Sequence, residues 1–362
     1  MMLLSDVTLR EGDQMPDRDY SVKQKVDAGC ALDDLGLPYI QTGFPITGEK
    51  DYEATRRLSG AVSAETIGLA RALTGDVDAA IEAEADIVEV ILPLSDRHLE
   101  HTLSATREEA FGMANEAISH AIDRGATVHV TLIDAFRTNP AGIVDFFERF
   151  PEPKFINLAD TVGARVPKFV QELLASLDGS VDFDRVGVHF HDDLGLGTAN
   201  TLIAYEAGVA KADVSVASIG ERAGNTALEE LVVSGTIEHD EKFGVEVDRL
   251  VPVCRRVLDD LKESVDPRKP VLGEAVVTHE SGLHTAAMLN DPSVFEPYDP
   301  ARFGGERHLV FGQGTGQASA RILLRRAGVE PTDEHIEELL SLLDREGPVE
   351  LGGAVALAGD LQ

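Results

Sequence analysis

Two histidines separated by a single residue, His189 and His191 in 185-RVGVHFHDDLGLG-197, are the groups in this chain best suited to hold a metal. On a β-strand both side chains would point to the same face. Two imidazoles joined by a carboxylate make a common set of ligands for a divalent ion. The alternative is two ordinary strand residues, one buried and partnered and the other exposed. A carboxylate is on offer in 6-DVTLREGDQ-14, where Glu11 stands beside Arg10 and close to Gln14. Further polar groups fall at Thr131, Asp134 and Arg137, at Asn157, Asp160 and Thr161, and in 220-GERAGN-225, which ends in Asn225.

Something must bring these scattered groups together. Strand-like segments lie at 3–8, 38–44, 64–70, 86–92, 126–132, 154–159, 185–190 and 212–217. Between them run amphipathic stretches such as 21–36, 104–125, 166–179 and 197–208, with apolar residues three and four apart. Several close on glycine, as helices do. Eight strand and helix pairs fit an α/β fold of the (β/α)8 or TIM-barrel type over residues 1–240. A doubly wound open sheet would show a glycine-rich loop after the first strand, and REGDQ stands there instead. In a barrel the chemistry gathers at the C-terminal strand ends. The polar residues above all fall at such ends, with a carboxylate expected across the barrel from the histidines. Strand 8 neighbours strand 1 on closure, which brings Asn225 towards Glu11 and favours the metal reading.

Residues 241–362 differ, with helical stretches at 247–265, 317–328 and 333–347 around a middle rich in Pro, Gly and His. They read as a mainly helical C-terminal region. No low-complexity linker precedes it, so it is expected to pack on the barrel or on a neighbouring subunit.

Charge excludes one class of partner. Acidic residues number 64 against 32 basic ones, a net charge of −32, which repels nucleic acid. The excess is spread along the chain. It reads either as a solubilising surface or as adaptation to a cytoplasm of high salt, where counter-ions screen the repulsion. The two cysteines, Cys30 and Cys254, form no CxxC pair, which leaves no disulfide framework or zinc–thiolate site to expect. The N-terminus has no basic, signal-like start, and no apolar run approaches the roughly 20 residues of a membrane span. A cytoplasmic protein without membrane contact is expected.

The motifs together resemble the metal-dependent acyl-CoA condensing enzymes, the 2-isopropylmalate, citramalate and homocitrate synthases. These carry D-x-T-L-R-[DE]-G-x-Q, H-x-H-[ND]-D-x-G and G-E-R-x-G-N, matched here by 6-DVTLREGDQ-14, 189-HFHDDLG-195 and 220-GERAGN-225. Weaker matches are 43-GFP-45, 158-LADTVG-163, 279-HESGLH-284 and 312-GQGTG-316. The resemblance implies condensation of acetyl-CoA with a 2-oxo acid at one Mg2+, Mn2+ or Zn2+ ion, then thioester hydrolysis, within amino-acid biosynthesis such as that of leucine. It implies Glu11, His189, His191 and Asn225 as metal ligands, and Arg10 beside the ketone oxygen. Gln14, Thr161, Thr131 and His98 are implied at the substrate. His284 is implied in proton transfer, on a C-terminal region that contributes to the active site and to a homodimer.

The chain departs from the family pattern in places. Gln41 stands where a glutamate is usual, and Ile133 replaces the glutamate of S-x-E-D in 131-TLIDAFRT-138. Phe295 occupies the usual tyrosine position, with Tyr298 three residues on as a possible substitute. Glu11 matches the homocitrate branch, whereas GERAGN matches the isopropylmalate and citramalate branch. At 362 residues the chain is expected to be a short form without the regulatory domain of longer family members. Two other readings stand beside condensation. One is a lyase or aldolase on the same barrel. Against its 3-hydroxy-3-methylglutaryl-CoA lyase branch, neither cysteine lies in the required glycine-rich loop. The other is a non-catalytic metabolite-binding relative.

Overall fold

The computed structural model describes residues 1–361, which divide into two compact units, the first Met1–Ser264 and the second from Val265 onward. In the first unit eight strands form a closed, all-parallel barrel: β1 (Leu3–Asp6), β2 (Tyr39–Gly43), β3 (Glu65–Arg71), β4 (Ile87–Pro93), β5 (Thr127–Ile133), β6 (Phe155–Asp160), β7 (Val186–Phe190) and β8 (Lys211–Val214). All eight expected strands are present. Closure pairs β1 with β8 in the register Ser5 to Asp213 and Asp6 to Val214. Covered by helices outside and side chains inside, the strands are buried almost throughout, as parallel sheets require.

The surrounding helices start where the sequence supplies a donor trap. Ser21 and Gln24 form a reciprocal capping box on Val22–Asp33, and Thr106 and Glu109 do so on Arg107–Asp123. Pro167 opens Pro167–Leu177 at a position where its missing N–H costs nothing. Tyr39, Ile67, Ile87 and Phe155 plug the N-terminal end of the barrel. His129 packs edge-on between Tyr39 and Phe155, at ring separations of 5.6 and 5.2 Å. Burial holds this imidazole well below its ordinary value, so it is neutral.

The first unit extends past residue 240, the boundary expected from sequence. Helix Leu250–Leu261 packs along Val22–Asp33, and Gln24 donates to the Leu261 carbonyl at 3.2 Å. Its apolar face therefore completes the first unit. The second unit has helices Gly282–Met288, Gln317–Arg326, Asp333–Glu346 and Leu351–Gly359, as a helical region should. It also contains a small sheet, not anticipated, in the order β11 (Val349–Glu350), β10 (His308–Phe311), β9 (Thr278–His279). Phe311, Leu323, Leu324, Leu339 and Leu343 form its core. No helix among the described residues is long and apolar enough to cross a membrane.

Candidate active site and metal centre

The site is built where β1, β7 and β8 end. β1 stops at Asp6, whose carboxylate accepts from the Thr8 N–H and hydroxyl, both at 2.9 Å. This local bond turns the chain into one helical turn, Thr8–Glu11, instead of the longer strand expected. The turn is tied to β8, because the Val7 N–H donates to the Val214 carbonyl at 2.8 Å and the Val216 N–H to the Thr8 hydroxyl at 2.9 Å. It delivers Arg10 and Glu11 to the mouth. Glu11 therefore sits near β7 on the β1 side of the closure, not across the barrel.

β7 presents His189 and, just past its end, His191. The two Nε2 atoms are 3.3 Å apart, and His189 Nε2 lies 3.4 Å from Glu11 Oε1. Ligands about 2.1 Å from a tetrahedrally coordinated ion are spaced about 3.4 Å from one another. Ligand atoms of Glu11, His189 and His191 all fall within 4.8 Å of one another, and all three residues are buried. Asn225 joins them, with its amide nitrogen 3.2 Å from His189 Nε2. Glu11 Oε2, Asn225 Oδ1 and His191 Nδ1 are buried without hydrogen-bond partners. A buried carboxylate oxygen left without a partner, as Glu11 Oε2 is, is costly unless a cation satisfies it. The residues present therefore fit a divalent metal.

Electrostatics agree. Burial alone would push the Glu11 carboxyl up, but Arg10 and the imidazoles outweigh it and hold the group well below the usual carboxylate range. Burial favours neutral His189, yet hydrogen bonds to Asp213 and Glu11 raise it to about 9. Burial and the neighbouring His189 charge lower His191 to about 3.

The GERAGN loop holds Asn225 by backbone bonds. The Asn225 N–H donates to the Ser218 carbonyl at 3.3 Å and Asp192 N–H to Gly224 at 2.8 Å. Gly224 has φ +85°, and a Cβ there would lie 1.5 Å from the Ser218 oxygen, so only glycine fits. Arg222 clamps the loop, with Nε and Nη2 on Asp193 at 2.8 and 2.9 Å and Nη2 on the Thr161 carbonyl at 2.9 Å.

Arg10 is held by Glu11 and by Gln41, whose Oε1 accepts from Nε at 2.9 Å. Exposed Gln14 stands 3.4 Å from the same guanidinium. His98 lies past β4, with Nδ1 3.1 Å from both Ser95 and Asp134. Asp134 also accepts from Arg137 at 2.7 Å, and its N–H donates to the Thr161 hydroxyl at 2.8 Å. Burial raises the Asp134 carboxyl, but Arg137 and Ser95 outweigh it and hold it below its ordinary value.

Thr131 differs from its expected place at the substrate. Its hydroxyl donates to Glu89 at 2.6 Å and accepts from Asn157 at 3.0 Å, which commits it to the barrel interior. In the second unit His284 stacks on Phe295 with ring centroids 3.9 Å apart. Tyr298 instead packs edge-on against Phe303 at 5.4 Å. The side chain against His284 is therefore Phe295, and Tyr298 does not take that position.

Sequence reading missed Asp213, which accepts from His189 Nδ1 at 3.0 Å, and Lys211, which donates to Asp213 at 2.5 Å. The available signal was two charged residues alternating in a strand otherwise apolar.

Comparisons with known proteins identify the family. Residues 2–257 match the HMGL-like family model, and residues 271–346 match the homocitrate synthase post-HMGL domain-like model. A probable 2-isopropylmalate synthase of Methanopyrus kandleri is 37% identical over 92% of this chain and 68% of its own length. A homocitrate synthase of the same organism is 35% identical over 96% of this chain and 88% of its own length. Among solved structures, the HMG-CoA lyase of Bacillus subtilis superposes with a TM-score of 0.65 at 19% identity, over 74% of this chain and 96% of that one, a likeness that bears on the fold alone. With its barrel matched by one model and its C-terminal unit by the other, the chain belongs to the HMGL-like family, in the group that carries the homocitrate synthase post-HMGL domain.

Proposed function

We propose that the protein is an acyltransferase that condenses acetyl-CoA with a 2-oxo acid at a divalent metal and then hydrolyses the thioester. The relatives named as 2-isopropylmalate and homocitrate synthases support the reaction class. The observation that carries the reading is the buried convergence of Glu11, His189 and His191 beside Arg10. Bound there, with Asn225 as a further ligand, the ion would act as a Lewis acid that orients and polarises the 2-oxo acid.

The chain's own groups supply the rest. Removal of a methyl proton from acetyl-CoA gives an enolate, whose carbon bonds to the keto carbon. Negative charge then grows on the former ketone oxygen. Arg10, already aimed by Gln41 and Glu11, donates to that oxygen from a site shielded from water, where such a bond is strongest. The alkoxide takes up a proton, and water cleaves the thioester to release CoA. Gln14, Thr161 and His98 are proposed substrate contacts. His284 is the proposed group for proton transfer, on the family motif 279-HESGLH-284.

Release of free thiol tests the reading. Purified protein with Mg2+, Mn2+ or Zn2+, acetyl-CoA and a panel of pyruvate, 2-oxoisovalerate and 2-oxoglutarate should liberate CoA with one of them. Release that needs no oxo acid would contradict it. A homodimer in a salt-rich cytoplasm belongs to the same proposal. Sedimentation as a monomer, or stability that does not rise with added KCl, would contradict those parts.

A further inference from the structure

The barrel interior is polar where a packed hydrophobic layer is expected, and its polar groups form one continuous chain that ends on a metal ligand. Lys211 is fully buried, and its amine donates to Asp213 at 2.5 Å and to Asn157 Oδ1 at 3.3 Å. Asn157 donates in turn to Thr131 at 3.0 Å and to Glu89 at 3.3 Å. At the other end Asp213 lies 3.0 Å from His189 Nδ1. The register makes this possible. Gly187 pairs with Lys211 across β7 and β8, which sets His189 beside Asp213 one step further along the inward face. Gly187 also leaves room for the link, because a Cβ there would lie 1.9 Å from Asn157 Oδ1.

A buried ammonium is expensive, and the barrel gains no apolar packing from it. What Lys211 does is fix a buried carboxylate in one orientation. That carboxylate can only accept, so the hydrogen between it and His189 sits on Nδ1, and Nε2 is left facing Glu11, His191 and Asn225. We infer that Asp213 and Lys211 are positioning residues for the metal centre: Lys211 anchors Asp213, and Asp213 holds His189 with Nδ1 protonated and Nε2 turned to the ion. This rests on the proposed metal, and the experiment separates the two.

Mn2+ binding to the full chain is measured by titration calorimetry, without substrate. Asp213→Asn is expected to weaken binding about 10–100-fold, and Lys211→Met about tenfold, as loss of a ligand's orienting partner does. Glu89→Gln, at the far end of the chain, is expected to stay within about threefold of the native protein. Native affinity in Asp213→Asn would overturn the inference, as would an equal loss in Glu89→Gln, because the effect would then come from general core packing. Absence of Mn2+ binding by the native protein would instead defeat the metal reading itself. Should Asp213→Asn fail to fold, 15N-histidine NMR of the native protein decides. A proton on His189 Nδ1 is expected, and a bare Nδ1 would overturn the assignment.

Discussion

Gln41 Oε1 accepts the Arg10 Nε–H at 2.9 Å, so the guanidinium proposed to act in catalysis is gripped by an amide where the family pattern has a carboxylate. The amide makes this bond without a charge. Glu11 is then the one carboxylate paired with Arg10 among the described residues. A guanidinium with less of its charge cancelled is a better partner for a developing alkoxide.

Gln41→Glu should therefore slow turnover. A second carboxylate on Arg10 is expected to lower kcat about tenfold while KM for the oxo acid changes little, the pattern of an interaction made in the transition state. Arg10→Met should cost about 10²–10³ in kcat. Initial rates of CoA release check both, and an unchanged kcat in Arg10→Met would remove Arg10 from the mechanism.

His284 has the Phe295 ring stacked on it and no tyrosine hydroxyl in that place. If it moves the proton, His284→Ala should lose about 10²–10⁴ in kcat. Mn2+ affinity should be unaffected, since the proposed ligands all belong to the first unit. Retained turnover would assign the proton transfer to another group.

Gly224 sets the loop that carries Asn225. Gly224→Ala puts a side chain at φ +85° and against the Ser218 carbonyl. The backbone strain alone is about 1–3 kcal/mol, and the clash adds to it. A lowered melting temperature and weaker Mn2+ binding are expected. A native melting curve would show that the loop can relax without cost.

Much of this site could be read from sequence because its signals are local. His189 and His191 share a face by the two-residue period of a strand, and Glu11 follows directly from the first strand. The missing parts are long-range. Gln41 meets Arg10 from 31 residues away, and Lys211 meets Asn157 from 54. No spacing rule reports such pairs; register and barrel closure create them. Thr131 looked like a rim residue because it lies near a strand end, yet the β5 to β6 register sets it opposite Asn157, inside. Leu250–Leu261, beyond the boundary expected at 240, is as amphipathic as the helices of the second unit. Only packing reveals which core its apolar face completes.

Asp6 makes the stability depend on pH. Burial raises its carboxyl from 3.8 to about 7, against the opposing bonds from Thr8. The folded state then holds this proton more tightly than the unfolded chain. Its contribution to stability is complete below 3.8 and is lost as pH rises through about 7. Asp6→Asn removes the titration, so its stability relative to the native protein should improve over that interval in denaturant melts. A difference that does not change with pH would contradict the assignment.

Carbon–carbon bond formation is the centre of the account, and the fate of the acetyl methyl group tests it most directly. Acetyl-CoA labelled with 13C at the methyl carbon, incubated with metal and the oxo acid that releases CoA, should yield a 2-hydroxy acid whose label appears as a methylene in the 13C NMR spectrum. Label that remains a methyl group, as free acetate, would mean simple thioester hydrolysis and would contradict condensation.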